Sequence, residues 1–403
     1  MLNLILFDDD NWQGLLPLTY TKPICELRVG ILNIREKWEK YLGTKASFIT
    51  QDFLAEKYPL HIEDDNIIIN STILPSEELL KLIKELQVGE AILADDELLA
   101  ARLSKKQMAA LSEENTENNL SGKDVSEIEG LFHQIIRPYD LFRYNGEEIK
   151  KDFHLLTLQS DSMEISPSNQ VAHPENIYIE EGARIEFSIL NAAEGPIYIG
   201  KNAKVMEGSI LRGPVAICEH ATVKMGAKIY GNTTIGPHCK AGGEINTSIL
   251  SAYSSKGHDG FLGNSVLGEW CNIGADSNNS NLKNNYDEVK LWSYSSERFE
   301  KTGLQFCGLI MGDHSKCGIN TMFNTGTVVG VYCNIYGSGY PRNYVPSYAW
   351  GGSSGFKTYQ LKKALETAER VMIRRGRSMT PEDEKILKHI FYSTAQFRVW
   401  EKE

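Results

Sequence analysis

The sequence predicts an α/β amino-terminal domain with an open sheet, followed by a left-handed parallel β-helix of hexapeptide repeats and a carboxy-terminal helical segment. The main observation is a period of six. From 199 to 235 an aliphatic residue recurs at every sixth position: Ile199, Val205, Leu211, Ile217, Val223, Ile229 and Ile235. Four positions after each stands a small or modest residue: Ala203, Ser209, Val215, Ala221, Ala227, Thr233 and Cys239. Neither the 3.6-residue helix nor the alternating strand generates that pattern, whereas a solenoid with three short strands per coil does. Before residue 157, short apolar runs instead alternate with helical ones, as an open α/β sheet requires.

In the first domain, 1–157, Leu2 to Phe7 reads as a buried strand, Val29 to Leu42 as an amphipathic helix and Ile67 to Ile69 as a second strand. Glu77 to Leu86 reads as a helix opened by Pro75 and Ser76, and Asp140 to Phe153 as a closing helix. Ser, Asn, Glu and Gly dominate Leu111 to Glu129, which predicts a long exposed loop. A linker, 158–170, leads to the β-helix at 171–345. There the register slips by two after Ile235 and resumes at Ile249, Ser255, Phe261, Leu267 and Ile273. A polar excursion spans Asp276 to Thr302, and hexads return at Met311, Cys317, Phe323, Val329 and Ile335. The last segment, 346–403, holds helices over Lys362 to Arg375 and Pro381 to Trp400, the second with Thr380 as N-cap. They are expected to cap the open end of the solenoid.

Composition narrows the function. A net charge of -11 over 403 residues argues against a nucleic-acid surface, which needs a basic patch. No apolar run is long enough for a membrane span and no leader is evident, so a cytoplasmic location is expected. Of the seven cysteines, Cys239, Cys271, Cys317 and Cys333 fall on inward hexad sites, so packing accounts for them better than disulfides or zinc. Lys22, Arg28 and Arg35 form one basic cluster, of a kind suited to phosphorylated small molecules. Arg370, Arg374, Arg375 and Arg377 form another, for which a solvated helix face is the simpler reading.

Three stretches carry a family resemblance: Ser254-Ser-Lys-Gly-His-Asp-Gly-Phe-Leu-Gly263, Glu269-Trp-Cys-Asn-Ile-Gly274 and Asn284-Asn-Tyr-Asp287. They resemble the acetyltransferase half of the bifunctional glucosamine-1-phosphate N-acetyltransferase / N-acetylglucosamine-1-phosphate uridyltransferases. Leu16-Pro-Leu-Thr-Tyr-Thr-Lys-Pro23, Glu26-Leu-Arg-Val-Gly30 and Pro138-Tyr-Asp-Leu-Phe142 resemble a divergent bacterial branch of that family, with a shortened nucleotidyltransferase-like first domain. The resemblance implies that acetyl-CoA and UTP are co-substrates, Mg2+ is a cofactor and the assembly is a homotrimer. It makes His258 the general base on the sugar amine, supported by Glu244 fourteen residues upstream. A group titrating near neutrality suits that task, because only the neutral amine is a nucleophile. It further places Asn272, Asn285, Tyr286 and Lys290 in the sugar site, Lys224 on the sugar phosphate, and Lys22 and Arg28 on the nucleotide phosphates.

The chain also departs from the pattern. Phe261 and Asn246 replace a tyrosine and a lysine of the sugar site, which loosens the identity of the acceptor sugar. In place of a glycine-rich phosphate loop stands Asp8-Asp-Asp-Asn-Trp-Gln-Gly14, and Asn70 takes the place of a metal-binding aspartate. That loop either recruits Mg2+ through Asp8 and Asp9 or has lost nucleotide binding. Two alternatives therefore stand beside the bifunctional reading. One is a nucleotidyltransferase for another pair, such as glucose 1-phosphate with dTTP; the other is an acetyltransferase whose first domain is an inactive regulatory module. Finally, His220 and His238 lie one eighteen-residue coil apart with His258 nearly in their column, an arrangement most simply read as solvated.

Overall fold

The computed structural model describes residues 2–111, 121–126, 128, 130–158 and 160–401. The chain divides into two compact units, one of Met1–Leu15, Lys22–Leu27 and Leu32–Arg137, the other of Leu16–Thr21, Arg28–Ile31 and Pro138–Glu403.

In the first unit, β1 (Asn3–Phe7), β2 (Ala46–Ile49), β3 (Asp65–Asn70), β4 (Glu90–Ala94), β5 (Glu97–Ser104) and β6 (Ser121–Asp124) form one mixed sheet among the described residues, in the order β2-β1-β3-β5-β4-β6. Strands β2, β1 and β3 run parallel, while β5 pairs antiparallel with both β3 and β4. The helix expected from Val29 begins only at Ile34, because Asn33 closes a capping box with Glu36. It ends at Gly43, whose φ of 67° suits a residue without a Cβ. The helix Glu77–Glu85 starts as expected, with the Ser76 hydroxyl accepting from Leu79 N. The exposed loop predicted for 111–129 is corrected in part: 121–124 form β6, paired with β4, while 112–120, 127 and 129 lie outside the described residues.

The second unit is the left-handed parallel β-helix that the period of six predicts. Among the described residues its faces are parallel sheets of nine, six and five strands, and a further four-stranded sheet holds the strands of its last coils. Ile179, Ile199, Ile217 and Ile235 stack in one inward column, and the small sites Ala203, Ser209, Ala221, Ala227, Thr233 and Cys239 are fully buried beside such columns. Each coil thereby buries what no single coil could. All seven cysteines are buried, and none forms a disulfide among the described residues.

Three boundaries move. The closing helix runs Pro138–Thr157 and belongs to the second unit, where it covers the outer face of the nine-stranded sheet. There Ile149 packs with Tyr178, Tyr198, Ala216 and Cys218. The linker is already part of the first coil, since Met163 N donates to Ile179 O at 2.9 Å and Asn169 Nδ2 to Ile185 O at 2.8 Å. At the other end the solenoid continues past 345 into the hairpin Ala349–Gly352/Gly355–Thr358, whose Trp350 pairs with Asn334. The helices Leu361–Ile373 and Pro381–Ser393 follow, the second with a Thr380–Asp383 capping box. They do not simply sit on the open end: the Tyr332 hydroxyl donates to Ala364 O and Tyr348 Oη to Leu387 O, so both helices lie against one corner of the solenoid. Phe356 and Trp400 pack against the solenoid core.

Candidate active site

The site forms where the repeat shortens. Ile235 stacks on Ile217, eighteen residues back, but the next residue in that column is Leu250, only fifteen on. The inward residues after the slip are therefore Leu250, Lys256 and Leu262 rather than the expected Ile249, Ser255 and Phe261. A shift of one residue turns a strand's side chains to the opposite face. Ile249 is still buried, on the outer side of the sheet where the helix Pro138–Thr157 packs.

His258, Asp259 and Gly260 form the turn between strands Ser255–Lys256 and Phe261–Gly263. The turn stacks on Gly242-Gly243, and a Cβ at Gly243, where φ is 73°, would come within 2.9 Å of the His258 carbonyl. From the coil above, Asp276 N donates to Asp259 O at 2.9 Å. The backbone of His258 is thus held on both sides, while its imidazole is exposed and makes no hydrogen bond among the described residues.

Two solenoid faces meet at this corner. One carries Lys228, Glu244 and Phe261 in register, with the Glu244 carboxylate 4.0 Å from the Lys228 ammonium. The other carries Lys240, Ser255, Asn272 and Lys316 in a column, with Asn272 exposed. Among the described residues Glu244 has an ion pair with Lys228 and no hydrogen bond with His258. Sequence reading missed Lys228, although a lysine sixteen residues before Glu244 and close to one coil away was a usable signal. It also missed Asn278 and Asn279, whose side-chain oxygens accept from Phe261 N at 2.8 Å and Gly263 N at 2.9 Å. These amides replace strand pairing where the excursion leaves the coil.

On the excursion, Tyr286 is 66% exposed, its carbonyl accepts from Gln305 Nε2 at 3.1 Å, and Asn285 Oδ1 accepts from Asp287 N at 3.2 Å. Lys290 opens the hairpin Lys290–Ser293/Arg298–Lys301 and is exposed. Among the described residues no hydrogen bond or ion pair joins Asn285, Tyr286 or Lys290 to His258.

The column of His220 and His238 does not continue to His258. Seven rings stack instead along another corner: His220, His238, Tyr253, Trp270, His314, Tyr332 and Tyr348, with successive centroids 4.8, 4.7, 4.1, 6.1, 5.3 and 5.5 Å apart. All seven have φ between 55° and 63°. The arginines expected on a solvated helix face reach this ladder: Arg377 Nε donates to Tyr253 Oη at 2.9 Å and Arg375 Nη1 to His238 O at 3.4 Å. Partial burial, then the neighbouring His220, lowers the His238 pKa below the usual histidine value, with Arg375 and Arg377 adding to the shift against the opposing charge of Glu219. Lys224 and Lys240 lie in this cationic region, and the charge of Arg375, then partial burial, lowers the Lys240 pKa.

In the first unit the acidic loop is largely closed upon itself. Asp8 accepts from Thr50 Oγ1 at 2.6 Å and Ile24 N at 3.1 Å; Asp9 accepts from Asn11 N, Asn11 Nδ2 and Asn70 Nδ2 at 2.8 to 2.9 Å. The Asn70 amide thus meets Asp9 as a hydrogen-bond donor rather than offering a further anionic oxygen, so the set is poor in the oxygen ligands that Mg2+ takes. No group of three metal-ligating side chains occurs among the described residues. Lys22 is buried within this unit, whereas Arg28 belongs to the second, where its guanidinium donates to Ile31 O.

Burial, opposed by the hydrogen bonds of Thr50 and Ile24, raises Asp8 to about 6 from 3.8. The native protein therefore keeps this proton where the unfolded chain has released it. Its stability falls as pH rises from about 4 to about 6, by roughly 3 kcal/mol in full. Urea titrations at several pH values in this window should show that slope, and Asp8→Asn should flatten it; an unchanged slope in the variant would remove Asp8 as its source.

The family model described as sugar nucleotidyl transferase matches residues 4–161. The bifunctional protein GlmU of Methanocaldococcus jannaschii is 30% identical over 311 residues, covering 68% of this chain and 71% of that protein. GlmU of Methanococcus aeolicus is 27% identical over 221 residues, covering 55% and 46%. A putative uncharacterized acetyltransferase of Escherichia coli, YaiX, is 26% identical over 143 residues, covering 35% and 61%. The chain thus spans less than two thirds of the length of these last two relatives. Among solved structures, an Arabidopsis UDP-N-acetylglucosamine acyltransferase aligns with 58% of this chain and 93% of its own, at 18% identity and a TM-score of 0.21. No helix of the described residues is long and apolar enough to cross a membrane.

Proposed function

Given that the chain belongs to the GlmU family of bifunctional proteins, we propose that its solenoid transfers an acetyl group from acetyl-CoA to the amine of glucosamine 1-phosphate. The chain is a transferase. The observation that carries the reading is His258: an exposed imidazole with no hydrogen-bond partner among the described residues, on a backbone held from both sides, at the corner between the Glu244 and Asn272 faces.

The amine attacks the thioester carbonyl carbon as His258 takes the proton from nitrogen, and the C–S bond breaks to release CoA, whose sulfur takes a proton in turn. Glu244 and Lys228 lie on one side of the base, Asn272 on the other, and Asn285, Tyr286 and Lys290 would close over the sugar from the excursion. Lys224 would meet the sugar phosphate. Working copies would be homotrimers, with acetyl-CoA bound between neighbouring solenoids. Exposed Ile189 and Ile210, in register with Lys228, and exposed Phe187 in the bend before Ile189 support such an interface. Sedimentation should give three chains per particle; a monomer would count against acetyl transfer.

For the first domain the family reading is uridylyl transfer from UTP to N-acetylglucosamine 1-phosphate, with Lys22 on the phosphates; Arg28, which belongs to the second unit, drops out of that set. The hydrogen-bonded Asp9 and Asn70 favour a second reading, in which this domain binds nucleotide sugar without catalysis. Following free thiol and pyrophosphate separately on the whole chain decides between them. The expected result is thiol release from acetyl-CoA with glucosamine 1-phosphate. Pyrophosphate release from UTP with N-acetylglucosamine 1-phosphate would exclude the non-catalytic reading.

A further inference from the structure

Lys256 lies inside the solenoid, in the inward column of Ile185, Val205, Val223 and Ala241, and is 1% exposed. The four members beneath it are aliphatic. Its Nζ donates to the His258 carbonyl at 2.6 Å and the Gly242 carbonyl at 3.0 Å, and no carboxylate lies within ion-pair distance of it among the described residues. A buried ammonium without a counter-ion is expensive, and a methionine would fill nearly the same volume at no such cost. What the charge provides is a strut: it ties the turn bearing His258 to Gly242 on the turn of the shortened coil beneath, through two carbonyls that accept from no backbone N–H among the described residues. Hydrogen bonds from a charged donor are the strong ones.

We propose that Lys256 is a positioning residue for His258, fixing the carbonyl of the base and with it the direction of the imidazole toward the acceptor amine. This rests on the acetyl-transfer reading of the site. Burial brings the Lys256 ammonium down to about 8. The titratable groups facing it are Asp259 on its own turn, Asp276 on the next coil and the Cys317 thiol on the coil after. The strut is therefore charged at neutral pH and weakens above about 8, where a histidine base alone would hold its plateau.

The test is Lys256→Met in the full chain. The expected result is a kcat lower by about 10- to 100-fold, the size of effect that a misplaced reacting group produces. KM for acetyl-CoA should be unchanged, and the alkaline fall near pH 8 should disappear from the profile. Hydrogen exchange should quicken for the three amides bonded to or beside this turn, Asp276 N on Asp259 O, Glu244 N on Gly260 O and Phe261 N on Asn278 Oδ1. A kcat reduced only in proportion to the folded fraction, with the alkaline fall retained, would overturn the proposal. Exchange in the wild-type chain, corrected for intrinsic rates, serves if the variant does not fold: protection of these three amides should drop as pH passes about 8, and flat protection would overturn the strut. If the wild type transfers no acetyl group, the functional reading fails while the exchange measurement still decides the strut.

Discussion

His258→Ala is expected to reduce acetyl transfer to glucosamine 1-phosphate by about 10²- to 10⁴-fold, the usual worth of a positioned general base. The melting temperature should barely change, because the imidazole is exposed and has no hydrogen bond to lose among the described residues. That separation of activity from stability is the strength of the test. The loss should fall on kcat more than on KM for acetyl-CoA, since the base acts on the acceptor amine. Glu244→Gln should cost less, because the Glu244 carboxylate stands 4.0 Å from Lys228 and not against the imidazole. Unchanged CoA release by the alanine variant would sink the acetyltransferase reading.

Tyr332→Ala is expected to cost about 3–5 kcal/mol of stability, the range for deleting a large buried ring. The ring is 1% exposed and lies 5.3 Å from His314 and 5.5 Å from Tyr348, with the Lys316 ammonium 5.6 Å from its centroid. Its hydroxyl also holds Ala364 O, so the helix Leu361–Ile373 should loosen along with the coil. Lower urea midpoints and earlier proteolysis within 361–401 are the signals to measure. Tyr332→Phe keeps the ring and loses one hydrogen bond, for about 1 kcal/mol. Equal losses in the two variants would show that the ring stack contributes little.

How far the sequence could be read depends on the kind of signal each region carried. A strict period of six made the solenoid legible, because two inward sites per hexad have one packing solution. The same counting failed just beyond Ile235, where a fifteen-residue coil moved the inward set by one residue and hid Lys256 among sites read as outward. The ring ladder would have corrected it: His238, Tyr253 and Trp270 each follow their inward residue, Ile235, Leu250 or Leu267, by three. The helix Pro138–Thr157 was visible as a helix, but its unit was not, since amphipathicity does not say which sheet it covers. Motif spacing found the turn of His258. It did not anticipate the Lys228–Glu244 ion pair and passed over Asn278 and Asn279, because side-chain caps on strand edges leave no period.

The ladder also bears on how such a chain can change in length. Between Trp270 and His314 the polypeptide leaves the coil, builds a hairpin and returns, yet the two rings remain stacked at 6.1 Å and nearly parallel, at 10°. Ser265 donates to nothing on the excursion itself but receives Leu309 N at 2.9 Å, closing the seam where the chain re-enters. The solenoid therefore behaves as a spine that accepts an appendage between two coils and continues in step. Loops at this junction are free to lengthen and diversify, while the turn presenting His258 keeps its place on the frame.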